Sequence, residues 1–206
     1  YSSDGSRKFL FHWRHAAAGQ LAPEQVLPEY FQRCRWLHIT GCNLAVCESS
    51  RLACLEALRC APPSATVSFD PNIRPGLLSA DQIRALCQRV LDRANVVFPS
   101  ATEAALLTGA ADDDEGGGRL AARGKTVLLK RGAAGCRVFA RGTVREVPSF
   151  PVAEIDPTGA GDSFCAGFTV AMLEGLALFE AARFATAVGA VAVTNRGPME
   201  GAPPRP

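Results

Sequence analysis

The sequence lacks the features by which several protein classes announce themselves. No apolar run comes near the ~20 residues that a membrane-spanning helix requires. No secretory-signal pattern is present either, so a cytoplasmic location with no membrane partner is expected. Histidine is scarce: there are three, His12, His15 and His38, and they match no metal-ligand spacing. The eight cysteines include no C-x-x-C pair, which argues against zinc and against a disulfide framework. Several lie on apolar or helical stretches and are expected as reduced thiols. An excess of one charge is also missing. The 22 Lys and Arg against 20 Asp and Glu leave only +2, too weak a field to advertise nucleic acid. There are no internal repeats. What remains is ordinary globular composition, 48% hydrophobic and 20% charged over 206 residues, enough for one sizeable core.

Hydrophobic periodicity alternates short strands with longer helices. Lys8 to Trp13, Trp36 to Thr40, Thr66 to Phe69, Asn95 to Phe98 and Thr126 to Leu129 read as strands. An amphipathic stretch runs from Pro23 to Arg33, and helical patterns cover Glu48 to Arg59, Thr102 to Leu107, Ala160 to Leu173 and Phe179 to Thr194. Ser79 is placed to cap a helix from Ala80 to Arg93. Asp112 to Gly118 reads as an acidic, glycine-rich loop. Cys136 to Ala140 and Thr143 to Val147 form a hairpin pattern across Arg141-Gly142. Strands alternating with helices predict an α/β fold, a mostly parallel sheet with helices on both faces. Ligands of such sheets sit at the carboxyl ends of the strands, so the loops after strands are where chemistry is sought.

The strongest chemical signal is Asp156-Pro157-Thr158-Gly159-Ala160-Gly161-Asp162-Ser163-Phe164, a glycine turn opening a helix. Glycines allow a ligand close to the backbone, and the N–H groups of a helix's first turn favour an anion. Asp162 in that turn would repel phosphate unless it has another task, and accepting a proton from an attacking hydroxyl is such a task. Locally, an ordinary first-turn acid on a shaped turn fits G-x-G-D equally well.

The full string resembles the C-terminal signature of the ribokinase-like (PfkB) carbohydrate kinases. The resemblance implies that Gly159, Ala160 and Gly161 form an anion hole and that Asp162 is the catalytic base, also in contact with the sugar. Phe69-Asp70-Pro71-Asn72-Ile73-Arg74-Pro75 looks like the D-x-N-x-R segment of the 2-keto-3-deoxygluconate kinase branch, which places Asn72 and Arg74 at the nucleotide phosphates. Phe98 to Glu103 with Leu107-Thr108-Gly109 is similar to P-N-x-x-E…L-T-G. Here Ser100 replaces the family's Asn at the nucleotide, and Glu103 is the residue that in relatives organises Mg²⁺ waters. Ser100-x-x-Glu103 also fits a helix capping box. Leu129 to Gly135 resembles the K-x-G-x-x-G nucleotide loop, implicating Lys130, Gly132 and Gly135. Without the resemblance, Lys130 reads nearly as well as a strand-end lysine reaching for solvent. Phe11 to Arg14, followed by Ala16-Ala17 and Leu21-Ala22-Pro23-Glu24, resembles the sugar-contacting stretch, with Trp13 and Arg14 as its contacts. Thr186 stands where relatives often carry an Asn near the adenine.

The resemblance therefore implies a ribokinase-like fold and ATP-dependent phosphorylation of a sugar hydroxyl. Its implied cofactors are ATP, Mg²⁺ and a K⁺ near Asp156 and Thr158, and its implied substrate is 2-keto-3-deoxygluconate, with fructose or ribose as alternatives. Residues 1–206 are expected to be one partial PfkB domain whose N-terminal third is absent. Residues 1–15 would then be a remnant of a β lid through which relatives pair as homodimers. A noncatalytic nucleotide- or sugar-binding subunit of the same fold, and a fragment of an ordinary kinase, are the alternatives.

Competing motifs fail. Gly118 to Thr126 has one residue too many for a P-loop and lies between a helix and a strand in the wrong order. Phe164 stands where a dinucleotide fingerprint needs glycine. Asp112-Asp113-Asp114-Glu115 is read as a solvated loop in preference to a cation site.

Overall fold

The computed structural model describes residues 16–73 and 79–203. The strand expected at Lys8 to Trp13, the side chains of Trp13, Arg14 and Arg74, and the lid pairing assigned to residues 1–15 lie outside the described residues.

One sheet carries its strands in chain order: β1 (Trp36–Thr40), β2 (Thr66–Asp70), β3 (Val96–Val97), β4 (Thr126–Lys130), β5 (Cys136–Ala140) and β6 (Thr143–Val147). β1 to β4 run parallel, and the β5–β6 hairpin adds antiparallel strands at the far edge. Strands that succeed one another through right-handed crossovers leave their connecting helices on a single face. Those helices are α1 (Gly41–Val46), α2 (Glu48–Cys60), α3 (Ala80–Arg93), α4 (Glu103–Thr108) and α5 (Asp113–Ala122). Leu44, Cys54, Ile83, Val90, Leu107 and Leu120 from these helices pack with Phe69, Val97, Val127 and Leu129 in one core.

The alternating strand residues point the other way. Val96, Phe98, Leu128 and Val138 form a second core beneath α6 (Ala160–Leu173) and α7 (Leu178–Ala192). The strand period of two thus serves two cores, as a doubly covered sheet requires. No helix among the described residues is long and apolar enough to cross a membrane. All eight cysteines are free thiols.

Local chemistry explains where the elements stop. Ser79 Oγ accepts from the Gln82 N–H (3.3 Å) while Gln82 Oε1 accepts from the Ser79 N–H (2.8 Å), a reciprocal cap that starts α3. Arg141 and Gly142 both have positive φ (48° and 78°), the geometry a two-residue hairpin turn needs.

Two expectations are corrected, and one element is new. Asp112 to Gly118 is not a loop: Asp112 caps α5, accepting from the Glu115 N–H at 2.8 Å, and the glycines lie inside the helix. Their low helix propensity is offset by close packing. A Cβ on Gly116 would meet the backbone carbonyl of Ala104 at 2.5 Å, and one on Gly117 the Phe139 ring at 2.7 Å. The stretch from Pro23 to Arg33 is two 3-10 turns, Pro23–Gln25 and Pro28–Phe31, because each proline can begin a turn but not continue a helix. α1 was not foreseen, since its few residues are too short to show a period.

Phe98 is fully buried immediately after β3, with ring centroids 5.4 Å from Phe168 and 6.2 Å from Phe164. Phe98→Ala is expected to cost about 3–5 kcal/mol in urea denaturation. An unchanged midpoint would contradict this packing.

Candidate active site

The parallel strands β1, β2, β3 and β4 end on the same side of the sheet, at Thr40, Asp70, Val97 and Lys130. The loops that follow, together with the start of α6, enclose an open cleft of about 900 Å³. Its walls include Asn72, Ser100, Lys130, Gly132, Thr158, Gly159, Gly161 and Asp162, so candidates scattered over much of the chain converge there. A smaller cavity of about 380 Å³ adjoins it and shares Lys130, Gly132, Pro157 and Gly161. This second cavity is lined by Gly135, Phe150, Val152, Ala160, Phe164, Thr186 and Val193. The Thr186 hydroxyl is turned back into α7, donating to the Ala182 carbonyl at 2.6 Å.

The glycine turn is constrained from two sides. Gly159 has φ of 81°, a region that penalises a side chain, and a Cβ there would collide with the Pro198 carbonyl. The Ala160 N–H is already donated to the Pro157 carbonyl at 3.2 Å. The N–H groups of Gly159, Gly161 and Asp162 meet no acceptor among the described residues. Free donors of the turn are therefore Gly161 and Asp162 together with Gly159, while the Ala160 N–H is occupied within the turn. The Asp162 carboxylate is exposed and makes no hydrogen bond or ion pair with a described residue.

Two other acids serve the scaffold. Asp156 is buried; its Oδ1 accepts from the Thr158 N–H (3.0 Å) and hydroxyl (2.7 Å), and its Oδ2 from the Gly197 N–H (3.1 Å). Glu103 is buried as well and ties three loop groups together. Its Oε1 accepts from the Ile73 N–H (2.6 Å), and its Oε2 from the Ser100 N–H (2.7 Å) and hydroxyl (2.8 Å). Only half of the expected capping box forms, because the Ser100 hydroxyl donates to Glu103 instead of accepting an amide. Asp113 of α5 takes over, accepting the N–H groups of Thr102 (2.5 Å) and Ala105 (3.0 Å).

Lys130 Nζ lies 2.6 Å from Asp70 Oδ2, with side chains only 14% and 3% exposed. Cys165 Sγ donates to the same oxygen at 3.5 Å, and Asp70 Oδ1 accepts the Asn72 N–H at 3.1 Å. Burial alone would lower the Lys130 pKa; the Asp70 carboxylate, which accepts from the ammonium, outweighs it with Glu103 adding to it, and the pKa is held above its ordinary value. Burial pushes the Cys165 thiol well up, so it stays protonated. A Cβ on Gly161 would be 3.5 Å from Lys130 Nζ, which puts this ammonium directly against the anion-favouring turn.

The family model for pfkB family carbohydrate kinases matches residues 1–205. The chain belongs to that family. Its sequence is 37% identical over 218 aligned residues to a fructokinase of Klebsiella pneumoniae, covering 98% of this chain and 68% of the relative. It is 31% identical to fructokinase-1 of Zea mays, covering 98% and 65%. Among solved structures, an E. coli protein provisionally named ribokinase II, in complex with ATP and Mg²⁺, superposes with a TM-score of 0.90 at 33% identity, covering 97% of this chain and 65% of that one. A Vibrio cholerae fructokinase bound to fructose, ADP and calcium gives 0.74 at 31% identity, covering 84% and 59%. The chain thus spans about two thirds of the length of these pfkB relatives. The ribokinase-like fold expected from the motifs is the fold observed.

The pfkB motifs marked most of the cleft, Asp70 included as the acid of D-x-N-x-R, but implied no role for its side chain. The signal was there: an acid ending one apolar strand and a lysine ending another. Asp112 to Asp114 also line the cleft, a position that the loop reading did not foresee.

Gly175 has φ of 87° with open space around its Cβ position, so it isolates the backbone cost that Gly159 shares. Gly175→Ala is expected to lose about 1 kcal/mol in urea denaturation, and Gly159→Ala clearly more. Equal losses would refute the contact with Pro198.

Proposed function

We propose that this pfkB chain carries the phosphoryl-transfer site of an ATP-dependent sugar kinase. One observation carries the reading: an unpartnered Asp162 carboxylate beside the free N–H groups of Gly161 and Asp162, at the positive end of α6. In this reading the smaller, largely apolar cavity takes the adenine. The phosphates run along Gly132, Lys130 and Asn72 toward the turn, with Gly135 shaping the loop and Ser100 at the rim. Asp162 accepts the proton of the attacking sugar hydroxyl while Lys130 and the turn amides hold charge on the transferred group.

Mg²⁺ enters as part of the nucleotide and neutralises phosphate charge. Among the described residues no cluster of three His, Cys, Asp or Glu side chains could hold a metal on its own, and both Glu103 oxygens already accept from protein groups. Glu103 acts on the nucleotide by fixing Ser100 and Ile73. A K⁺ beside Asp156 and Thr158 stays part of the reading: the buried Asp156 carboxylate accepts from the Thr158 N–H and hydroxyl and from the Gly197 N–H, and carboxylate and hydroxyl oxygens keep lone pairs for a cation.

The acceptor is a sugar with a free primary hydroxyl. Fructose is supported by the names of the relatives, 2-keto-3-deoxygluconate by the D-x-N-x-R resemblance alone. Trp13 and Arg14 are the proposed sugar contacts and Arg74 a further phosphate contact. A binding-only protein is the second reading, favoured by Ser100 in place of Asn.

ADP release with Mg·ATP and fructose, ribose or 2-keto-3-deoxygluconate tests the proposal. Turnover with one of these sugars is expected, reduced roughly 10²–10⁴-fold by Asp162→Asn. Nucleotide binding without turnover would favour the binding-only reading. Turnover unaffected by Asp162→Asn would remove Asp162 from the mechanism.

A further inference from the structure

We infer that Asp70 is a positioning residue for the nucleotide phosphates, one buried carboxylate setting both Lys130 and the Asn72 loop. The inference rests on the nucleotide-binding reading above and gives a role to the acid of the D-x-N-x-R segment, for which the resemblance implied none.

The geometry is specific. Asp70 Oδ2 holds the Lys130 ammonium at 2.6 Å, and Oδ1 holds the Asn72 N–H at 3.1 Å. Asn72 has φ of 42°, an uncommon conformation for a residue with a side chain, and the Asp70 bond stabilises that turn. The backbone of Lys130 is fixed separately, by donation of its N–H to the Pro99 carbonyl at 2.7 Å. Among the described residues Asp70 is the only hydrogen-bond partner recorded for Lys130 Nζ. The remaining ammonium donors therefore stay available on the cleft wall beside Gly161.

Charge makes the two partners unequal. Asp70 also lines the cleft, so without Lys130 it would present a buried anion to the phosphates. Without Asp70, Lys130 keeps a favourable sign but loses its direction, and burial then favours its neutral form. The groups facing Lys130 are Asp70 from β2, Glu103 from α4, Cys165 from α6 and His38 from β1. Of these only Asp70 touches the ammonium.

The test is calorimetric titration of the full chain with Mg·ATP at pH 7 and pH 9, with circular dichroism to confirm folding. Asp70→Asn retains an acceptor for the Asn72 N–H and is expected to weaken binding about tenfold at pH 7. Its affinity should fall further at pH 9, because a less stabilised Lys130 loses its proton as pH rises, whereas the native chain keeps Lys130 charged. Lys130→Met is expected to weaken binding about 100-fold, and Asp70→Asn added to it should restore about tenfold. Native-like affinity and pH dependence in Asp70→Asn, or a double variant no tighter than Lys130→Met, would overturn the inference. If Asp70→Asn does not fold, the double variant, which leaves neither charge of the pair unmatched, still decides it against Lys130→Met. Failure of the native chain to bind Mg·ATP would overturn the nucleotide reading and this inference with it; tight native binding with the wrong variant pattern would overturn only the inference.

Discussion

A single ion pair, Lys130 to Asp70, joins the ends of two strands that flank β3. Both side chains are nearly withdrawn from water, so neither charge is tolerable alone; removing one partner of such a pair typically costs about 3–5 kcal/mol. The ends of β2 and β4 are therefore held in one relation, and the loops that leave them, Pro71–Ile73 and Arg131–Gly135, inherit it. The cleft walls are positioned by this contact, and the contact exists because parallel strands finish on the same edge. Fold and site share one constraint.

α6 carries the second half of the arrangement. Its first turn faces the cleft, while Phe164 and Phe168 farther along pack under Phe98 and close the second core. The helix cannot shift to suit a ligand without opening that aromatic cluster, so the turn amides are set before any ligand arrives. Preorganised donors of this kind stabilise developing charge without reorganising, which is the main route to catalysis of phosphoryl transfer. Gly159 adds a backbone limit, since its left-handed φ and its approach to Pro198 both exclude a side chain.

Periodicity and capping chemistry were enough to delimit α3, α6 and the β5–β6 hairpin, because each is governed by neighbours in the chain. Resemblance to family motifs pointed to Asn72, Lys130 and Asp162, and all three line the cleft. What escaped sequence reading depends on contacts across the fold. Gly116 and Gly117 look like a loop until Ala104 and Phe139 are seen against them. Glu103 reads in sequence as a metal-organising acid or a cap, and its bond from the Ile73 N–H, distant in sequence, shows only in the fold. The Ala160 amide looks available until Pro157 takes it. Asp70 stood in the D-x-N-x-R segment, but its pairing with Lys130, distant in sequence, shows only in the fold.

The most direct test of the account is amide hydrogen exchange of the chain with and without Mg·ATP. The account predicts slower exchange at the Gly159, Gly161 and Asp162 amides and in the loop from Arg131 to Gly135, while the distant face of α2 and α3 is unchanged. Nucleotide-dependent protection that leaves the glycine turn untouched would contradict the claim that this turn is the anion site.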